Sequence, residues 1–137
     1  MASSKEVCWP FLKPGLWPVV GLNVKGPKGV EPKKGEALIR VDTGYDGFLL
    51  VDEETYHRLG MTLAELPRSK WADGETVTGE TVRLRRAIVR ISIPRLRINL
   101  QGYAETFHGN KDRLVGLKLL ETLRVLLDGP SKECCII

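Results

Sequence analysis

The stretch "EALIRVDTGYDGFLLVDEETYHRLG", residues 36–60, sets Asp42-Thr43-Gly44 between two apolar runs. Residues 36–41 read as a strand, and "FLLV" (48–51) is short and continuously apolar, the mark of a buried strand. The tripeptide suits a turn, because an Asp side chain accepts bonds from nearby backbone amides and Gly accommodates positive φ. A short helix is expected next. Asp52 can cap it, Glu53 and Glu54 sit where the helix dipole favours carboxylates, Arg58 falls in the last turn, and Gly60 closes it.

Upstream, "WPVVGLNVKG" (17–26) reads as a first strand and "PKGVEPKKG" (27–35) as a turn-rich basic connection. Residues 1–16 look irregular. Downstream, "WADGETVTGETVRLRRAIVRISI" (71–93) is the longest strand-rich stretch, with Asp73-Gly74 as a hairpin signal and Gly79 as a further bend. Pro94 interrupts the pattern and "LRINLQGYAETF" (96–107) resumes it. Leu114 and Val115 read as a strand ending at Gly116, "LKLLETL" as a short helix, and "RVLL" (124–127) as a closing strand. These elements give a mainly β fold with one or two short helices. At 137 residues the chain makes one domain, placed at 17–128, with 129–137 as a C-terminal tail.

With 42% hydrophobic and 28% charged residues, the composition is that of a soluble globular protein. No apolar run approaches the roughly 18 residues of a membrane span. Pro10, Lys13 and Pro14 interrupt any signal-peptide core, so a cytoplasmic location is expected. The net charge of +4 is dispersed. Its densest cluster, "RLRRAIVRISIPRLRI", alternates with apolar residues as a strand with one solvated face does, and no nucleic-acid partner is expected. Cys8, Cys134 and Cys135 form no metal-ligand or disulfide framework by spacing. The tail "KECCII" formally fits a prenylation box, but Ile137 is not among its usual last residues, and an apolar strand or a frayed end is the better reading.

The order strand, Asp-Thr-Gly, buried strand, helix, hairpin, then apolar-apolar-Gly with a second helix resembles the retropepsin-like aspartic proteases, in particular their small single-domain prokaryotic type. "ALIRVDTGYDGFLLV" looks like the catalytic loop segment, "WADGETVTGE" like the flap, and "RLVGLKLLETLRVLLD" like the second motif with its helix and final strand. The resemblance covers residues 17–128. It implies a half-barrel acid-protease fold in a symmetric homodimer, with Asp42 as catalytic carboxylate. Thr43 would brace the two catalytic loops, Gly44 would let the loop turn beneath the carboxylate, and Gly116 would let the second motif pack behind it. Trp71, Ala72, Asp73 and Gly74 would belong to the substrate-covering flap. Tyr45 departs from the Ala or Ser that viral relatives carry after the tripeptide, and a bulky side chain there is expected to reshape or restrict the cleft. The flap also lacks the multiple glycines of those enzymes.

The chemistry explains why one motif per chain implies two chains. Hydrolysis by this route needs two carboxylates on one water: one takes its proton, the other serves the carbonyl oxygen. Two such groups roughly 3 Å apart share one proton and titrate as a unit. A chain with one Asp-Thr-Gly supplies the pair only by pairing Asp42 with its mate. The expectation is therefore an endopeptidase acting on polypeptides, needing no metal and no cofactor. The apolar C-terminal end is expected to contribute dimer strands. The alternative is a non-catalytic protein- or peptide-binding module on the same fold.

Other candidates are weaker. Asp46, followed by Gly47, and Asp73 read as turn residues. His57 and His108 have no Ser, Cys or ligand partner at telling spacing. Trp9, Trp17 and Trp71 read as packing anchors.

Overall fold

The structure, a computed structural model, describes residues 6–137; the N-terminal expectation for residues 1–5 lies outside them. In chain order the elements are β1 (Val7–Pro10), β2 (Val19–Gly26), β3 (Gly29–Glu31), β4 (Ala37–Val41), β5 (Leu49–Leu50) and α1 (Glu53–Arg58). They continue with β6 (Ala72–Glu75), β7 (Thr81–Ile93), β8 (Ile98–Thr106), β9 (Leu114–Val115), α2 (Leu117–Leu120), β10 (Val125–Asp128) and β11 (Glu133–Ile136). The mainly β class and its two short helices are as the sequence implies.

The large sheet runs β3-β2-β4-β9-β5-β8-β7-β6, and an additional β2–β7 pairing returns it to β2. Strands β2, β4, β9, β5, β8 and β7 therefore form a closed ring of ladders, which leaves few free edges. Residues alternate along β7, where Ala87, Val89, Ile91 and Ile93 are buried and Ile88 and Arg90 are exposed. That period of two aims one set of side chains into the barrel. There they meet Val20, Leu22, Ile39, Leu49, Tyr56, Met61 and Leu119 in one core.

Helix α1 forms as its sequence signals dictate. The Asp52 side chain accepts from the Thr55 N–H at 3.1 Å, and the Arg113 Nε donates to the same carboxylate at 2.7 Å. Burial pushes the Asp52 carboxyl up, but the bonds from Arg113 and Thr55 outweigh it and hold the group below its ordinary value. Gly60 stands beyond the helix with a left-handed φ of 70°.

Four expectations are corrected. Asp73 and Gly74 lie inside β6, paired with Arg83 and Val82, and the turn comes later at residues 76–80. Gly79, at φ +85°, supplies the positive φ that the turn needs. Residues 7–10 are not irregular: β1 pairs antiparallel with β11. This pairing sets Cys8 opposite Cys135, and the two form a disulfide. Two cysteines 127 positions apart carry no spacing signal, so strand register alone reveals the bridge. Trp9 is a buried anchor, but Trp17 is partly exposed, with the Arg40 guanidinium over its ring at 3.7 Å.

The tail is a strand, as its apolar residues suggest, but its partners belong to the same chain. β11 is the middle strand of the small sheet β1-β11-β10, and Cys134, Cys135 and Ile136 are buried. Removing residues 130–137 would therefore strike the folding of the monomer before it could report on a dimer.

Two stability outcomes follow from these contacts. Ile136→Ala is expected to cost about 2–4 kcal/mol in urea denaturation, as for other buried truncations. Asp52→Ala is expected to cost about 1–2 kcal/mol at pH 7 through loss of the cap. A carboxyl depressed in the folded state gives stability that is present above its unfolded value and lost as pH falls through its folded one. The Asp52→Ala deficit should therefore shrink below about pH 4, which denaturation at pH 7 and pH 3 would reveal.

Candidate active site

Strand β9 lies between β4 and β5, parallel to the first and antiparallel to the second. The chain joining β4 to β5 must therefore cross over the end of β9, and that crossing is the Asp42-Thr43-Gly44 loop. The Asp42 N–H donates to the Val115 carbonyl at 2.9 Å, extending the β4–β9 pairing by one step. The Asp42 Oδ1 then accepts the Gly44 N–H at 2.9 Å, and the Asp42 carbonyl accepts the Tyr45 N–H at 3.2 Å. The carboxylate is thus oriented by its own turn. Asp42 is half-buried, while Thr43 and Gly44 are exposed.

The second motif is pressed against the first. Gly116 donates its N–H to the Phe48 carbonyl at 3.0 Å. Leu117 donates to the Tyr45 carbonyl at 2.8 Å, and Lys118 to the Gly47 carbonyl at 3.1 Å. A Cβ on Gly116 would collide with the Gly47 carbonyl oxygen and lie 2.6 Å from the Tyr45 ring. Only a residue without a side chain fits there, which gives the apolar-apolar-Gly pattern its reason. Asp42 and Gly116, 74 positions apart by their numbers, are brought into one site.

The Tyr45 side chain is directed into the subunit. Its ring packs inward between Gly47 and Gly116, and its hydroxyl donates to Glu105 Oε1 at 2.5 Å. Burial, then the Glu105 charge, pushes the phenol well above its ordinary value, so it stays protonated as a donor. Glu105 is 1% exposed, and its other oxygen accepts from Arg86 Nε at 3.0 Å and Nη2 at 2.9 Å. Neither Glu105 nor Arg86 was singled out from the sequence. One signal was present: Glu105 is the lone charge in the run "INLQGYAETF". Only the topology shows that β8 is interior at that point.

The hairpin β6–β7 holds the flap candidates, and their bonds are local. Trp71 donates its indole N–H to the Leu66 carbonyl at 2.8 Å, with the Arg68 and Arg85 guanidinium groups over its ring. Ala72 pairs with Leu84. Asp73 faces Arg83 across the ladder at 3.7 Å, a ladder contact rather than a turn role. Gly74 lies over Leu84, and Val77 at the tip is fully exposed. His57 and His108 both flank Glu53 on the surface, apart from the Asp42 loop. Among the described residues, the sole clustering of possible metal ligands is Glu6, Cys8 and Cys135, and it contains the disulfide. No helix among them is long and apolar enough to cross a membrane.

This architecture is the retropepsin-like fold. A retropepsin-like aspartic protease from Rickettsia conorii, known from its crystal structure, matches with a TM-score of 0.59 across 99% of this chain and 96% of that one. At 13% identity the likeness establishes the fold alone. No family model matches the sequence. A protein of Archaeoglobus fulgidus described as uncharacterized is 34% identical over 100 residues, 71% of this chain and 73% of its own length. The chain belongs to the same family as that protein.

Gly116→Ala tests the packing of the two motifs. Because backbone and not a flexible side chain blocks the new methyl, a loss of about 3 kcal/mol is expected, the upper part of the overpacking range. Thermal or urea denaturation would measure it.

Proposed function

We propose that the protein is an aspartic endopeptidase whose working unit is a homodimer, with Asp42 of each subunit forming the carboxylate pair. The observation that carries this reading is the Asp42 loop itself: a carboxylate at the mouth of a crossing loop, fixed by the Gly44 N–H and backed by Gly116, in a retropepsin-like fold. The loop leaves Thr43 and Gly44 exposed, where a second copy could meet them. One motif per chain supplies one carboxylate, so the chemistry asks for two chains.

In this mechanism a water lies between the two Asp42 carboxyls, which share one proton. The ionised carboxylate takes a proton from the water as it attacks the peptide carbonyl, and the protonated one donates to the carbonyl oxygen. The gem-diol intermediate then collapses: the carboxyl that took the water's proton gives it to the leaving nitrogen as the C–N bond breaks. The other accepts a proton from a gem-diol hydroxyl, which releases the amine and the acid and restores the singly protonated pair. The substrate class is an extended polypeptide, with residues 71–80 as its cover. The anchoring of Tyr45 to Glu105 supports the catalytic reading, and the glycine-poor hairpin supports a non-catalytic binding module.

The test is cleavage of an unfolded protein between about pH 3 and pH 7, the range in which such a pair holds one proton. Wild type is compared with Asp42→Asn, which keeps an oxygen for the Gly44 N–H and so preserves the turn. Activity should fall at least about a hundredfold in the variant, with folding and sedimentation unchanged. Folded dimers inactive in both forms would favour the binding module, and an active monomer would end the shared-dyad mechanism.

A further inference from the structure

Arg85 and Arg86 are consecutive on β7 and leave it on opposite faces. Each meets a glutamate that also accepts from a tyrosine hydroxyl. Arg85 donates to both oxygens of Glu65, at 2.6 and 3.0 Å, and Tyr56 donates to Glu65 at 2.8 Å. Glu105 likewise joins an arginine and a tyrosine, with Arg86 on one oxygen and the Tyr45 hydroxyl on the other, but here the tyrosine belongs to the Asp42 loop. The two networks are chemically alike, and one of them holds that loop.

Tyr45 is tied at three points: its N–H to the Asp42 carbonyl, its carbonyl to the Leu117 N–H, and its hydroxyl to Glu105. Glu105 and Arg86 are direct cross-strand neighbours in the β7–β8 ladder. On β7, Leu84 is the last residue paired with β6, so Arg86 stands just past the root of the hairpin. The contacts therefore run from the Asp42 loop through Glu105 to the strand that bears the proposed cover. A buried carboxylate is a weak way to gain stability, since its desolvation offsets much of the attraction. Its worth lies in fixed geometry: neighbouring Gly47 has no room for a side chain because the Glu105 carboxylate and the Tyr45 hydroxyl occupy that space.

We propose that Glu105 is a positioning residue, holding the Asp42 loop through Tyr45 and the root of the β6–β7 hairpin through Arg86. Its catalytic consequence rests on Asp42 being the working carboxylate, whereas its mechanical consequence does not. Tyr45→Phe removes the loop's hydroxyl tie and leaves the Glu105–Arg86 pair. Glu105→Gln weakens both ties. Tyr56→Phe removes the equivalent hydroxyl from the other network and serves as the matched control.

Hydrogen exchange on the full-length protein reads the mechanical part. In Tyr45→Phe the amides of Gly44, Tyr45, Leu117 and Lys118 should exchange about tenfold faster or more, with the hairpin unchanged. In Glu105→Gln the acceleration should extend to residues 72–84. Tyr56→Phe should leave the loop as in wild type. Uniform acceleration, no acceleration, or the same loop response in Tyr56→Phe would each overturn the proposal. Should Glu105→Gln fail to fold, Tyr45→Phe against Tyr56→Phe still decides it.

Kinetics read the catalytic part. If wild type shows Asp42-dependent cleavage, Tyr45→Phe should lower kcat about tenfold or more with KM held within about twofold. A purely structural role would leave kcat per folded molecule intact, and that result would overturn the catalytic consequence. Absence of Asp42-dependent cleavage in wild type would instead sink the protease reading, while exchange would still settle whether Glu105 holds the loop.

Discussion

The arrangement turns on one close approach: Gly116 against the Gly47 carbonyl, at the point where β9 runs between β4 and β5. A strand can occupy that slot only if the loop above it turns tightly and the residue after it has no side chain. With that contact made, the Asp42 N–H reaches Val115 and the amides of residues 116–118 find the carbonyls of the loop. The start of α2 is then fixed against the loop by hydrogen bonds rather than by apolar packing alone. The Asp42 carboxylate inherits its position from backbone geometry, which tolerates much change in the surrounding side chains. A fold kept at 13% identity is consistent with that kind of specification.

The strands around Asp42 and the capped helix were legible because each rests on a local signal, whereas the packing of Gly116 behind the Asp42 loop was implied by the family resemblance alone. Apolar runs and a cap residue are both readable within a few positions. What escaped has a common cause. The Cys8–Cys135 bridge, the β1–β11 pairing and the Tyr45–Glu105–Arg86 network all join distant parts of the chain, and each depends on register. Asp73-Gly74 misled for a different reason. A good turn pair was outcompeted by Gly79, which takes the left-handed backbone while the ladder runs through Gly74. The inward course of Tyr45 escaped too: the two glycines packed on its ring are what accommodate it.

β7 deserves its length. It closes the barrel against β2, forms the wall with β8, and continues outward into the hairpin with β6. Its two adjacent arginines are gripped on opposite faces by Glu65 and Glu105 at the junction of wall and hairpin. The exposed Val77 tip therefore extends from a firmly held base, and flexing of the hairpin would concentrate beyond Leu84 rather than spread into the core.

The middle position of β11 has a consequence for how any pair of subunits would come together. Both of its edges are satisfied within its own chain, so it has no unpaired ladder to lend to a second copy. The free ladders of this small sheet are the outer edges of β1 and β10, so a second copy that extended it would dock on a subunit already folded. A two-chain site built in this way is assembled by mass action. Dilution would dismantle it without unfolding anything, and local abundance, rather than refolding, would govern how much of it exists.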